Sequence, residues 1–388
     1  MADREYDVVV FGATGFTGGL TAEYLAKHAD PGTRWALAGR STAKLEDVRR
    51  RLGPEHAELP LIGAECDDPA SMGALAESTR VLITTVGPYI KYGEPVVAAC
   101  AAAGTSYVDL TGEPEFVDEM WLRHHLEAER TGARLVHSCG FDSIPYDLGA
   151  LFAVNQLPED SPIKLAGFVR FSGNFSGGTF HSAVHIMGRM RQGARVARER
   201  RAQEPRPQGR TVRGDAGRPH HDDTAGGWAL PAPTIDPQTV LRSASALDRY
   251  GPDFTYSHYL VVKHLPTAIG LGLGAGVAIG LAQLEPTRNL LLKAGKDPGE
   301  GPSPEQRAKA WFNVRMVGSS NGKRVVAEVS GGDPGYGETA KMLGESALCL
   351  AHDQLPERSG QLTTAVAMGQ PLIDRLKRAG IRFEVLEA

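Results

Sequence analysis

The stretch Tyr6–Gly18, YDVVVFGATGFTG, decides the fold of this chain. An apolar run, Val8–Phe11, ends in three glycines spaced Gly12-x-x-Gly15-x-x-Gly18, and the helix-compatible LTAEYLAKH comes next. Strand, tight turn and helix in that order make a phosphate cradle. The first glycine lets the chain turn sharply off the strand, the second lets backbone N–H groups approach a pyrophosphate, and the third lets the helix pack closely on the sheet. The helix N-terminus adds unpaired donors and a partial positive charge. Because the triplet sits between a strand and a helix, it reads as a dinucleotide-binding turn rather than a chance cluster of glycines.

The residues after the second strand select the cofactor. That strand is Trp35–Ala38, and it runs into Gly39, Arg40 and Ser41. An acidic residue there holds an adenosine ribose 2′-hydroxyl, whereas a positive one suits a 2′-phosphate. Arg40, Ser41 and Lys44 all precede the first carboxylate, Glu46, so NADPH is the expected cofactor. The competing reading has Arg40 solvating the turn and Ser41 capping the next helix.

Strands at 59–64, 81–86, 107–110 and 135–137 then alternate with helices at 69–77, 93–103 and 115–131, which makes six strands in all. Asp67, just past the third strand, either reaches an adenine amino group or caps the helix that starts at Pro69. Thr84, Thr85, Val86, Gly87 and Pro88 end the fourth strand. They are expected beside the nicotinamide, since ligands of open parallel sheets sit at the C-terminal ends of the strands.

Composition bounds the remainder. With 388 residues, 41% hydrophobic and 23% charged, the chain can bury the cores of two or three domains. A net charge of -4 provides no basic excess to bind nucleic acid. Cys66, Cys100, Cys139 and Cys349 lack ligand spacing and read as reduced thiols, so no metal site is expected. The charged MADREYD leads straight into the first strand, which reads as a cytoplasmic chain without a signal peptide.

From Ser138 the pattern changes. The turn-rich SCGFDSIPYDLG, 138–149, leaves the first sheet. A strand is expected at 163–171 and a helix at 179–200, whose His181 and His185 are one turn apart with no third ligand near in sequence. Residues 204–227 are rich in Arg, Pro, Gly and Asp and read as a mobile loop. The strand FTYSHYLVVK contains Tyr259-x-x-x-Lys263, the spacing of a short-chain dehydrogenase pair. On a strand that spacing separates the two by roughly 13 Å, so they form no catalytic dyad.

AIGLGLGAGVAIGLAQL, 268–284, is uncharged and near the lower length for crossing a bilayer. Its glycines at 272, 276 and 280 share one face of a helix. A buried element or a homodimer contact is expected, with peripheral contact to a membrane as the second reading and a true span as the third. Asn321-Gly322 marks a hairpin between strands at 310–317 and 323–329. Helices at 336–352 and 372–379 are expected to return to the first domain. The expected fold class is α/β: a Rossmann-type doubly wound parallel sheet over 1–140, then an α+β domain over 141–335 with a mixed, largely antiparallel sheet, then 336–388.

Several of these segments together carry a resemblance. VVVFGATGFTG, ALAGRS, TTVGPYIKYGEPVVAACAAAGTSYVDLTGE, SCGFDSIPYDLG and GQLTTAVAMGQPL resemble the saccharopine dehydrogenase-like oxidoreductases, and within them the actinobacterial trans-acting enoyl reductases. The likeness runs along nearly the whole chain and is weakest over 204–227. It implies NADPH held by Gly12, Ala13, Thr14, Gly15, Phe16, Thr17, Arg40 and the Val86-Gly87-Pro88 turn. It also implies hydride reduction of a carbon–carbon double bond in an apolar acyl or polyketide intermediate, carrier-bound or lipidic. Tyr89 then reads as the donor to the developing enolate, with Lys91, Tyr92 and Asp142 as neighbours able to take that part. Packing of the Tyr89 ring against the cofactor is an equal reading. Two alternatives stay open: reduction of a C=N bond, as the family name suggests, and a non-catalytic NADPH-binding protein at lipid surfaces.

Overall fold

A computed structural model of the chain describes residues 4–173, 177–294 and 302–388. The first strands are β1 (Tyr6–Phe11), β2 (Trp35–Gly39), β3 (Leu61–Gly63), β4 (Thr79–Thr84), β5 (Ser106–Val108) and β6 (Arg134–Val136). Next come β7 (Ile163–Ser172), β8 (Thr211–Asp215), β9 (His220–Asp222), β10 (Gly227–Pro231) and β11 (Asp253–Val262). The last are β12 (Trp311–Ser320), β13 (Lys323–Gly331), β14 (Gly360–Leu362) and β15 (Arg382–Glu387). They form two sheets in two compact units, one drawn from Met1–Phe141 and Gly335–Arg375, the other from Asp142–Pro298, Pro302–Pro334 and Leu376–Ala388.

The first unit holds a seven-stranded sheet in the order β14-β6-β5-β4-β1-β2-β3. Every pairing in it is parallel. Val8, Val9 and Val10 of β1 and Val81, Leu82 and Ile83 of β4 are wholly buried, as expected of strands covered on both faces. The strand order reverses between β1 and β4, and a doubly wound sheet opens its ligand crevice at that point. Six of the seven strands are legible in the sequence. The seventh, β14, is three residues long and pairs with β6, too short to show any period.

The second unit holds a mixed sheet of eight strands, β15-β13-β12-β7-β11-β10-β9, with β8 also on β11. β11 runs parallel to β7 and β8, and the remaining pairs are antiparallel. Asn321 and Gly322 join β12 to β13 with φ of 48° and 79°. Two positive φ values are what a two-residue hairpin turn with the sheet's own twist requires. The C-terminal β15 pairs with β13, so the chain does not end wholly on the first domain as its helices suggested.

Three expectations need correction. Residues 204–227 are not a structureless loop: β8 and β9 lie within them. β8 pairs with the first half of β11, from Asp253↔Thr211 to Ser257↔Asp215, and β10 takes the second half of the same edge. Arg210 anchors the entry to β8, donating to the carbonyl oxygens of Gly251, Ala244 and Leu247 at 2.9 Å each. Such strands hold by backbone pairing and bury little, so their polar composition imitates disorder.

The apolar stretch forms a helix, Leu265–Ala282, but it is not buried: only Ala268 and Ala282 are covered, and Leu273 is 69% exposed. A Cβ on Gly272, Gly276 or Gly280 would meet nothing within 4 Å among the described residues, so those residues do not use the close packing that this glycine face allows. The helix expected at 179–200 is two, Gly177–Gly188 and Met190–Gln203, broken at Arg189. Its His181 side chain lies outside the described residues, and no cluster of three metal-ligating side chains occurs among those described.

Candidate functional site

Gly12 leaves β1 with φ of 87°, and its N–H donates to the Ala38 carbonyl oxygen at 3.0 Å. A Cβ there would lie 2.8 Å from both Thr85 Oγ1 and Val86 Cγ2, and one on Gly18 would run into the Gly12 carbonyl oxygen. The protein itself therefore requires these two glycines. Gly15 differs. Its φ is -77°, and an added Cβ would meet only the Gly12 carbonyl oxygen, at 3.4 Å. Neither strain nor crowding demands glycine at that exposed position, whereas the close approach of a pyrophosphate does. Gly15 also N-caps the helix Phe16–His28, which has no side-chain cap and no acidic residue in its first turn. These residues fit a dinucleotide phosphate. Around them Ala13 is buried, Thr14 is exposed, and Phe16 and Thr17 are half-buried; the Phe16 ring meets Tyr336 edge-on at 4.8 Å.

The ends of β2 and β3 carry the adenosine-side candidates. Ser41 caps the helix Thr42–Leu52, accepting from the Lys44 N–H at 3.4 Å, so one of its oxygen lone pairs is engaged by the fold. Arg40 is exposed and makes no hydrogen bond or ion pair among the described residues; Lys44 is exposed as well. Asp68, not Asp67, caps the helix Pro69–Ser78, accepting from the Ala70 N–H at 3.0 Å. Asp67 is exposed beside it. An unclaimed guanidinium is what a 2′-phosphate needs. Arg40→Asp is therefore expected to weaken NADPH binding by about 1.5 to 3 kcal/mol, roughly 10- to 150-fold, through loss of a charge-assisted contact. NADH affinity should change far less. Titration of both cofactors against both proteins checks this, and equal losses for the two would refute it.

At the end of β4, the Thr85 hydroxyl donates to the Gly12 carbonyl oxygen at 3.1 Å, tying the turn that follows β4 to the glycine turn. Val86 and Pro88 are half-buried and Gly87 is exposed. Tyr89 opens the helix Tyr89–Ala103 and is only 7% exposed. Its hydroxyl donates to the Thr84 carbonyl oxygen and accepts from the Leu110 N–H, both at 3.2 Å. The Tyr89 and Ile90 N–H groups donate to the two oxygens of Glu113 at 3.1 and 3.0 Å. Tyr89 thus braces β4 against the chain after β5, and the geometry weighs against its donating to a substrate. Lys91 and Tyr92 lie exposed one turn further on.

Sequence reasoning passed over the residues that surround this brace. Asp109, fully buried at the end of β5, accepts from four donors. These are the Ser138 N–H (2.8 Å) and Thr111 N–H (3.0 Å) on one oxygen, and the Tyr107 hydroxyl (2.8 Å) and His137 Nδ1 (2.7 Å) on the other. The bond to Asp109 fixes the His137 tautomer with its proton on Nδ1 when neutral. Nε2 of His137 has no hydrogen-bond partner among the described residues, although the side chain is buried. The signal was present in YVDLTGE, where two carboxylates come after a strand of the first sheet.

The second unit begins at Asp142. Its side chain is exposed, yet burial pushes the carboxyl up to about 6. These observations pull against each other, and because water reaches the carboxyl, about 6 is a ceiling. Within the same unit, Asp236 is buried at the start of the helix Asp236–Ala246. Its Oδ2 accepts from the Thr234 hydroxyl and lies 3.7 Å from His258 Nε2, and its Oδ1 has no hydrogen-bond partner among the described residues. Burial, reinforced by the charge of Asp142, raises Asp236 well above the carboxylate range, while burial pushes His258 down to about 4. Both shifts favour the neutral forms, which weakens any ion pair between them, and 3.7 Å is beyond hydrogen-bond reach. With the proton on Nε2, His258 Nδ1 accepts from the Tyr256 hydroxyl at 3.1 Å.

Comparisons with known proteins identify the relatives of this chain. Residues 8–136 match the saccharopine dehydrogenase NADP-binding domain. A Mycobacterium tuberculosis protein provisionally named a trans-acting enoyl reductase is 39% identical over 412 aligned positions, covering 98% of this chain and 97% of that protein. The trans-acting enoyl reductase of Mycobacterium ulcerans is 36% identical over 412 positions with the same coverage. Among solved structures, apo saccharopine dehydrogenase (L-Glu forming) from Saccharomyces cerevisiae superposes with a TM-score of 0.54 at 10% identity, over 98% of this chain and 100% of that one, which speaks to the fold alone. The chain is an NADP-dependent oxidoreductase: it belongs to the saccharopine dehydrogenase-like family, among the trans-acting enoyl reductases.

Proposed function

We propose that the chain reduces the carbon–carbon double bond of an α,β-unsaturated acyl or polyketide intermediate with NADPH. The observation that carries this reading is the end-to-end identity with proteins named trans-acting enoyl reductases, joined to a glycine turn and a free Arg40 suited to the cofactor. Bound NADPH supplies a hydride to the β-carbon. Gly12, Gly15 and the N-terminus of the helix Phe16–His28 hold the pyrophosphate, Arg40 holds the 2′-phosphate, and the turn at Val86, Gly87 and Pro88 bounds the nicotinamide. The α-carbon then needs a proton. Among the four sequence candidates, Tyr89 is engaged by the fold, while Asp142 combines exposure with a carboxyl that stays partly protonated near neutrality. Asp142 is the donor in this reading.

Purified protein given NADPH and α,β-unsaturated thioesters of increasing chain length is expected to oxidise the cofactor faster as the chain lengthens. Turnover confined to imines would replace this reading with C=N reduction. Tight NADPH binding without turnover of either class would leave a cofactor-binding protein.

A further inference from the structure

Among the described residues, the helix Leu265–Ala282 has no partner that covers its outward surface. It spans 18 residues, about 27 Å, without a charge. Ile269, Leu273 and Val277 are 55%, 69% and 63% exposed. Water suits it poorly on two counts, since its apolar side chains are uncovered and its five glycines give little intrinsic helix preference. An apolar medium reverses both, because there the backbone must satisfy its own hydrogen bonds.

Topology excludes a simple crossing. β11, which precedes the helix, and β12, which comes after it, both pair with β7, so the chain leaves and re-enters the same sheet. The intervening helix Glu285–Ala294 carries Glu285, Arg288 and Lys293 and is too polar to make a return pass. The apolar helix therefore lies against whatever covers it. Charge identifies the cover. Exposed Lys263 lies two residues before the helix, next to its N-cap His264, and at the other end the Gln283 side chain donates to the Met187 carbonyl oxygen at 2.8 Å. That bond sets the C-terminal end beside the start of the helix Met190–Gln203, with its exposed Arg191, Arg195 and Arg198. Only Glu199 and Glu285 oppose them on these neighbouring segments. A second copy packed here by two-fold symmetry would set cations against cations, whereas an anionic surface matches an uncharged stretch with basic ends.

We propose that Leu265–Ala282 docks this chain on the surface of an anionic lipid bilayer, with its leucines in the acyl region and the neighbouring arginines on lipid phosphates. This is independent of the reaction, and its readout is partitioning. The test is flotation of the full chain with vesicles of phosphatidylcholine, alone or mixed with phosphatidylglycerol. A polarity-sensitive dye is placed on Leu273→Cys; the four native cysteines are buried, so the label is selective. The protein is expected to float with the mixed vesicles and the dye to shift to the blue. Leu271→Ser with Leu273→Ser and Val277→Ser should weaken flotation at least about tenfold with NADPH affinity and melting temperature unchanged. Arg191→Glu with Arg195→Glu should weaken it roughly 25-fold or more, and added salt should do likewise. Wild-type protein that stays at the bottom with the mixed vesicles overturns the proposal. So does a lipid-free dimer with the dye already blue-shifted that the triple serine variant splits, since a second copy is then the cover.

Discussion

Gly18→Ala is expected to cost this chain most of its affinity for NADPH. The added methyl would run into the Gly12 carbonyl oxygen and lie 2.7 Å from Thr85 Oγ1. Neither is the loose end of a long side chain: one is backbone in the glycine turn, the other is held by its bond to that same carbonyl. Relief must come from moving the helix Phe16–His28 off the turn, and with it the N–H groups that the proposed reading assigns to the pyrophosphate. Overpacking of this kind costs about 1 to 3 kcal/mol, and spent on cofactor geometry it raises the dissociation constant by up to about 150-fold. Gly73→Ala is the control. It also lies in a helix of the first unit, Pro69–Ser78, but a Cβ there meets nothing within 4 Å, so stability should rise slightly and NADPH binding stay put. Calorimetric titration and a melting curve read both. Wild-type affinity in Gly18→Ala would remove the glycine turn from the cofactor site.

Asp142→Asn is expected to lower kcat by about a hundred- to thousandfold, the usual contribution of a positioned general acid, with KM little changed. A proton donor acts in its neutral form. With the carboxyl raised from 3.8 to at most about 6, up to roughly a tenth of molecules carry that proton at pH 7, against fewer than one in a thousand at the ordinary value. The wild-type rate should therefore be level below about pH 6 and fall about tenfold per unit above it, a limb that Asp142→Asn abolishes. Persistence of the same limb in the variant would show that another group titrates. Full activity in Asp142→Asn together with loss in His137→Gln would move the proton to the unpartnered Nε2 of the Asp109–His137 pair.

Much of the first unit was legible because its information is local. The apolar run Val8–Phe11, the glycine spacing after it and Arg40 after the second strand are each set within a few residues, so backbone conformation and cofactor class result from short-range sterics and charge. The Asn321-Gly322 hairpin is local in the same sense. The roles of Tyr89, Asp109, Asp236 and His258 were not, since each depends on a partner on another segment. A tyrosine beside a cofactor turn is either a donor or a brace, and only the Leu110 N–H, 21 positions away, decides which. β8 was invisible because an edge strand is made by its neighbour's backbone and leaves no apolar period in its own residues. For Leu265–Ala282 the sequence determined an uncharged apolar helix by composition. That it lies uncovered was decided by the tertiary structure, since burial depends on what the rest of the chain brings against a surface, and here none of the described residues packs over its glycine face.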